Sequence, residues 1–86
     1  MKLNANFIVH QSGSDTVIVP TSAAGFSGVV KGNKALGAIV SLLQNDISEA
    51  DIISAMKAQY DAADGVIERD VRSALDELRK IGAIDE

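Results

Sequence analysis

Gly32-Asn33-Lys34-Ala35-Leu36-Gly37-Ala38-Ile39-Val40-Ser41-Leu42-Leu43 is the stretch in which the chain changes its period. Before it, apolar residues come in short β-prone runs. From Asn33 onward they recur at i, i+3, i+4 and i+7, as Leu36, Ile39, Val40 and Leu43, which is the spacing of one helix face. Asn33 itself is a good N-cap, because its short side-chain oxygen can accept from an amide of the first turn. The switch divides the chain into a strand-forming first third and a helical remainder.

Upstream, residues 7–10 (Phe7-Ile8-Val9-His10) form a first β-prone run, followed by the polar turn cluster Gln11-Ser12-Gly13-Ser14-Asp15. Thr16-Val17-Ile18-Val19 is a second run, closed by Pro20, which cannot donate to a ladder and belongs at an edge or an end. The two read as a hairpin. Residues 21–25 are small. A third run, Phe26-Ser27-Gly28-Val29-Val30-Lys31, carries Gly28 and suits an edge strand or a close approach of another backbone.

Downstream, Asn45-Asp46 ends the first helix, and Ser48 caps a second with Asp51 in a capping-box-like position. Ile52, Ala55, Met56 and Tyr60 make its apolar stripe. A loop, Asp61-Ala62-Ala63-Asp64-Gly65, leads to the longest helix, over residues 66–81. There Ile67, Val71, Ala74, Leu75 and Leu78 share a face, and Gly82 stands where a left-handed stop is wanted. Ala83-Ile84 is expected to fold back on the core. Three short antiparallel strands followed by three helices make an α+β domain spanning residues 1–86, a small sheet packed on a helical trio.

Composition narrows the chemistry. The 86 residues carry a net charge of −4, no Cys, one His, and only Phe7, Phe26 and Tyr60 as aromatics. Without Cys there is no thiolate chemistry or disulfide, and one imidazole cannot build a two-histidine metal site. No cofactor or metal is expected. The acidic balance argues against nucleic acid as a partner, since phosphate binding calls for a basic patch. No apolar run approaches the length of a membrane span and no signal peptide is evident, so a cytoplasmic protein without a membrane partner is expected.

No constellation in the sequence reads as catalytic. His10 lies near Ser12, Ser14 and Asp15, but on a strand end and hairpin turn where a convergent triad does not form. Gly32-Asn33-Lys34 precedes a helix without the second glycine and hydroxyl of a phosphate loop. On the last helix, with Arg69 at 0° and about 100° per residue, Arg72 falls near 300°, Arg79 near 280° and Leu75 near 240°. The arginines therefore border the apolar face on Leu75's side. They read either as solvated partners in helix pairs such as Arg72–Asp76, or as the wall of a groove floored by Leu75 that would meet acidic residues of a peptide.

The order and spacing of these segments resemble PqqD-like proteins. The residues that carry the resemblance are Phe26-Ser27-Gly28-Val29-Val30-Lys31-Gly32-Asn33, Ile39 and Leu42-Leu43. They continue with Ile47-Ser48-Glu49, the Ala55 to Tyr60-Asp61 helix end, and Asp70-Val71 through Leu75, Leu78, Gly82 and Ile84. The resemblance implies a winged-helix-like fold of three strands and three helices. It also implies a non-enzymatic recognition element that binds the leader of a ribosomally made, modified peptide. The leader would add as a strand to the third strand, beside the last helix, for presentation to a partner enzyme, typically a radical S-adenosylmethionine enzyme. The binding residues expected on that basis are Phe26, Ser27, Gly28, Val29, Val30, Lys31, Val71, Arg72, Leu75, Leu78 and Arg79. The chain departs from the family pattern at Ala38 and Val40, where bulky aromatics are usual in the first helix and where Gly37 is expected to add flexibility, and at Gly32, where an apolar residue is common. A winged-helix nucleic-acid-binding or regulatory domain is the alternative.

Overall fold

A computed structural model describes residues 1–21, 24 and 28–86. Strands β2 (Phe7–Ser12) and β3 (Asp15–Pro20) form the expected hairpin, with Phe7 opposite Pro20 and Ser12 opposite Asp15. Gly13 turns it with φ of 60°, the left-handed conformation that the first central position of a type II′ turn requires. Strand β4 (Val30–Gly32) pairs antiparallel with the other side of β3, setting Thr16 against Gly32 and Ile18 against Val30. The sheet order is β2-β3-β4, so Pro20 ends a central strand and β4 is an edge. β4 is shorter than the expected third run. Gly28, at φ 117°, leaves extended geometry, and the ladder begins only at Val30.

Opposed residues of a ladder share a face. Phe7, Thr16 and Ile18 are buried, which turns their partners Val30 and Gly32 inward as well. His10, Val17 and Lys31 lie across from one another on the outer face.

Helix α1 (Lys34–Leu42) starts as expected: Asn33 Oδ1 accepts from the Leu36 amide at 3.1 Å. The buried Thr16 hydroxyl donates to the Asn33 carbonyl at 3.1 Å, tying β3 to the start of the helix. Gly32 and Gly37 are both sites of close approach. A Cβ on Gly32 would run into the Leu36 side chain, so Leu36 occupies the space an apolar residue would need there. A Cβ on Gly37 would stand 2.6 Å from Thr16 Oγ1 and 2.8 Å from Gln11 Nε2. The helix lies directly on the sheet because this position has no side chain, and close contact, not flexibility, is the role of Gly37.

Helix α2 (Glu49–Gln59) is capped by Ser48, whose hydroxyl accepts from the Asp51 amide at 3.1 Å. Helix α3 (Val66–Lys80) ends in a Schellman arrangement: the Gly82 amide donates to the Arg79 carbonyl and the Ala83 amide to the Leu78 carbonyl, with Gly82 at φ 75°. The chain then forms β5 (Ile84–Asp85), which pairs with β1 (Lys2–Leu3) in a second, two-stranded sheet that the sequence did not announce. The core joins both sheets to all three helices, with Ile18, Val40, Leu43, Ile52, Val71, Leu75 and Leu78 fully enclosed.

Candidate peptide groove

The β3–β4 ladder satisfies one side of β4. Among the described residues no strand pairs the other. Beside that free edge lies a cavity of about 270 Å³, lined by Val30 and Lys31 of β4, Leu36 of α1, and Ser73, Ala74, Glu77 and Leu78 of α3. A second cavity, of about 190 Å³, opens further along the same helix. Ala35 and Ile39 of α1 line it together with Val66, Ile67 and Asp70 of α3. Both lie between α1 and one flank of α3, which is their wall; the first, beside β4, is the candidate groove, and the second, which no β4 residue lines, is closed by Met56 of α2 with Tyr60, Asp61 and Ala62.

Which flank of α3 makes this wall decides the electrostatics. In the frame that puts Arg69 at 0°, Ser73, Glu77, Asp70 and Ala74 fall at about 40°, 80°, 100° and 140°. The wall is therefore the flank away from the arginines. Arg72 reaches Glu49 of α2 (Nε to Oε2, 3.7 Å), and Arg79 holds Glu86 (Nε to Oε1, 2.7 Å) and Asp76 (3.4 Å). Its bonds to these carboxylates raise the Arg79 pKa above the ordinary guanidinium value. Neither arginine lines the groove, contrary to the expectation that they flank the peptide.

Val71 and Leu75 are 1% and 0% exposed and form core, not an open floor, with Val71 at the back of the second cavity. Leu78 is fully buried behind the cavity, while Leu36 and Ala74 provide the accessible apolar surface. Val30 and Lys31 line the cavity, and Val29 is 53% exposed just before the strand. Phe26 and Ser27 lie outside the described residues. Helical spacing already grouped Asp70, Ser73, Ala74 and Glu77 on one flank, but the wheel alone does not say which flank borders the edge strand.

The remaining polar features are structural. His10 is exposed on β2. Lys57 Nζ lies 3.0 Å from Glu68 Oε2, which holds the Glu68 carboxyl below the usual carboxylate range and links α2 to α3. Among the described residues no group of three His, Cys, Asp or Glu side chains is placed to hold a metal ion, and no helix is long and apolar enough to cross a membrane.

The family model described as "Coenzyme PQQ synthesis protein D (PqqD)" matches residues 16–84, from β3 to β5. The chain belongs to the PqqD family. No curated protein matches it. Among solved structures, "TbiB1 in Complex with the TbiA(beta) Leader Peptide" is similar, with a TM-score of 0.76 and 21% identity over 99% of this chain and 100% of that one. At that identity the likeness establishes a shared fold. The PqqD match spans β4, α1 and α3, the three elements that build the groove.

Proposed function

We propose that this protein binds the leader segment of a ribosomally made precursor peptide by strand addition to β4. It then presents the peptide to a separate modifying enzyme of the radical S-adenosylmethionine class. The observation that carries this reading is the free edge of β4 beside a groove with an apolar lining. Strand addition draws affinity from backbone hydrogen bonds and specificity from pockets that receive alternate side chains. A protein normally blunts an open edge, and keeping one next to a cavity suits an extended ligand. Membership of the PqqD family supports the precursor-peptide assignment, and the similar TbiB1 structure is itself a complex with a leader peptide. In this reading the chain acts in the cytoplasm by binding and orientation, without catalytic groups or a cofactor of its own.

The test is a titration of 15N-labelled protein with the leader segment of the short peptide encoded beside its gene. Saturable shifts are expected at Val30–Gly32 and over residues 73–78. The Val29→Pro variant, which loses an amide donor next to the exposed edge, should bind about five- to tenfold more weakly, the worth of roughly one hydrogen bond. A folded Val29→Pro protein with unchanged affinity would exclude a register running past Val29. Absence of any shift in β4 and α3 would overturn the reading.

A further inference from the structure

The groove has a charge asymmetry that constrains its ligand. Its helical wall is the flank bearing Asp70, Ser73, Ala74 and Glu77, with a carboxylate at each end and two small residues between. The small residues let an extended chain approach α3 closely. The carboxylates lie seven residues apart, about 10 Å along the helix axis. Arg72 and Arg79 are committed on the far flank of α3 to Glu49, Asp76 and Glu86, while Arg69 lies on the near side beside Asp70. The cation that β4 contributes to the cavity is Lys31. It stands opposite Val17 on the outer face of the sheet, whereas Val30 and Gly32 face inward.

A strand added to β4 alternates its side chains between these two faces. Side chains directed inward meet Leu36, Ala74 and Glu77, with Asp70 further along the same flank of α3 at the next cavity. Side chains directed outward pass beside Lys31. We infer that the peptide recognised here carries lysine or arginine on the face it turns toward α3, received by Asp70 and Glu77. This deepens, and rests on, the reading of the groove as a peptide site. The present partners of the two carboxylates are weak competitors. Lys80 lies 3.3 Å from Glu77 and Arg69 lies 3.7 Å from Asp70, both in exposed pairs of the kind that contribute little. A ligand cation held against a wall that excludes water on one side would displace them. The net charge of −4 attracts such a peptide from a distance. Neighbouring same-face residues of a strand are about 6.7 Å apart, so basic residues at i and i+2 or i+4 can engage both carboxylates through flexible stems.

The experiment selects peptides from a phage-displayed library of random 12-residue sequences on the immobilised full chain. In parallel it selects on a variant carrying Asp70→Lys and Glu77→Lys. Both positions are exposed, and a circular dichroism melt verifies that the variant is folded. Peptides selected on the native protein should shift Val30–Gly32 resonances and carry Lys or Arg among alternating apolar residues. Replacing that basic residue by norleucine should weaken binding roughly three- to tenfold, the scale of a partly exposed ion pair. The charge-reversed variant should reject these peptides and select acidic ones. Groove-binding peptides without basic residues, or with equal affinity for both proteins, would overturn the inference and leave the groove reading standing. If no selected peptide touches β4 or α3, the groove reading fails and the inference with it.

Discussion

The two flanks of α3 carry charges of opposite sign to opposite ends. On one side Arg72 and Arg79 lean over the helix edge and join α3 to the start of α2 and to the chain's last residue. On the other, Glu77 lines the cavity beside β4 and Asp70 the next cavity along the helix. Both flanks pair with the protein's own groups, but Arg72 and Arg79 reach carboxylates of other segments, whereas Asp70 and Glu77 meet only Arg69 and Lys80 of the same helix. The acidic flank faces a cavity. The difference shows that a charge band on a helix acquires meaning only from what packs next to it.

Three variants would break or sharpen this contrast. The largest effect is expected on neither flank but at Leu75 between them, which is fully buried. Leu75→Asp forfeits the burial of a leucine and encloses an unpaired carboxylate, a cost of about 5 kcal/mol or more, comparable to the whole stability of a small domain. Loss of a cooperative thermal transition is the expected result, and a folded variant would mean that α3 can rotate. Next, Ser73→Phe places a ring in the groove from an exposed position. Stability should change by only about 0.5 kcal/mol. Peptide affinity in a titration should fall by more than about tenfold, since the ring occupies the space of the incoming strand. The smallest effect is reserved for Arg72→Ala combined with Arg79→Ala. Its expected outcome is a melting temperature lowered by a few degrees, from the loss of exposed pairs worth about 0.5 kcal/mol each, with peptide affinity unchanged. A large drop in affinity would reassign the binding flank.

Much of the fold was legible because its local signals agree. The alternation in β2 and β3, the Asn33 and Ser48 caps and the Gly82 stop each appear in the structure with the hydrogen bonds their chemistry requires. The β1–β5 ladder was not legible. Two-residue strands carry no period, and their pairing is fixed by Leu3 donating to Leu43 and Asn4 to Ala83, contacts between distant parts of the chain. At the cavity beside β4, the wheel left the arginines open between solvated helix pairs and a groove wall, and the structure places Arg72 and Arg79 in ion pairs away from it. A wheel ranks residues by angle, and the arginines' partners Glu49 and Glu86 lie on segments whose position only the folded chain supplies. Leu36 was read as an ordinary core residue. Its place at the groove depends on Gly32, which makes room for it in the strand opposite.

Gly37 gives the groove a setting screw on its far side. Leu36, the neighbouring residue, forms part of the groove, and the height of α1 above the sheet is set where Gly37 meets Thr16 and Gln11. A single methyl group there would lift the helix and, with it, one boundary of the cavity. The width of the cavity beside β4 can thus be retuned during evolution from behind, by a residue that does not line it.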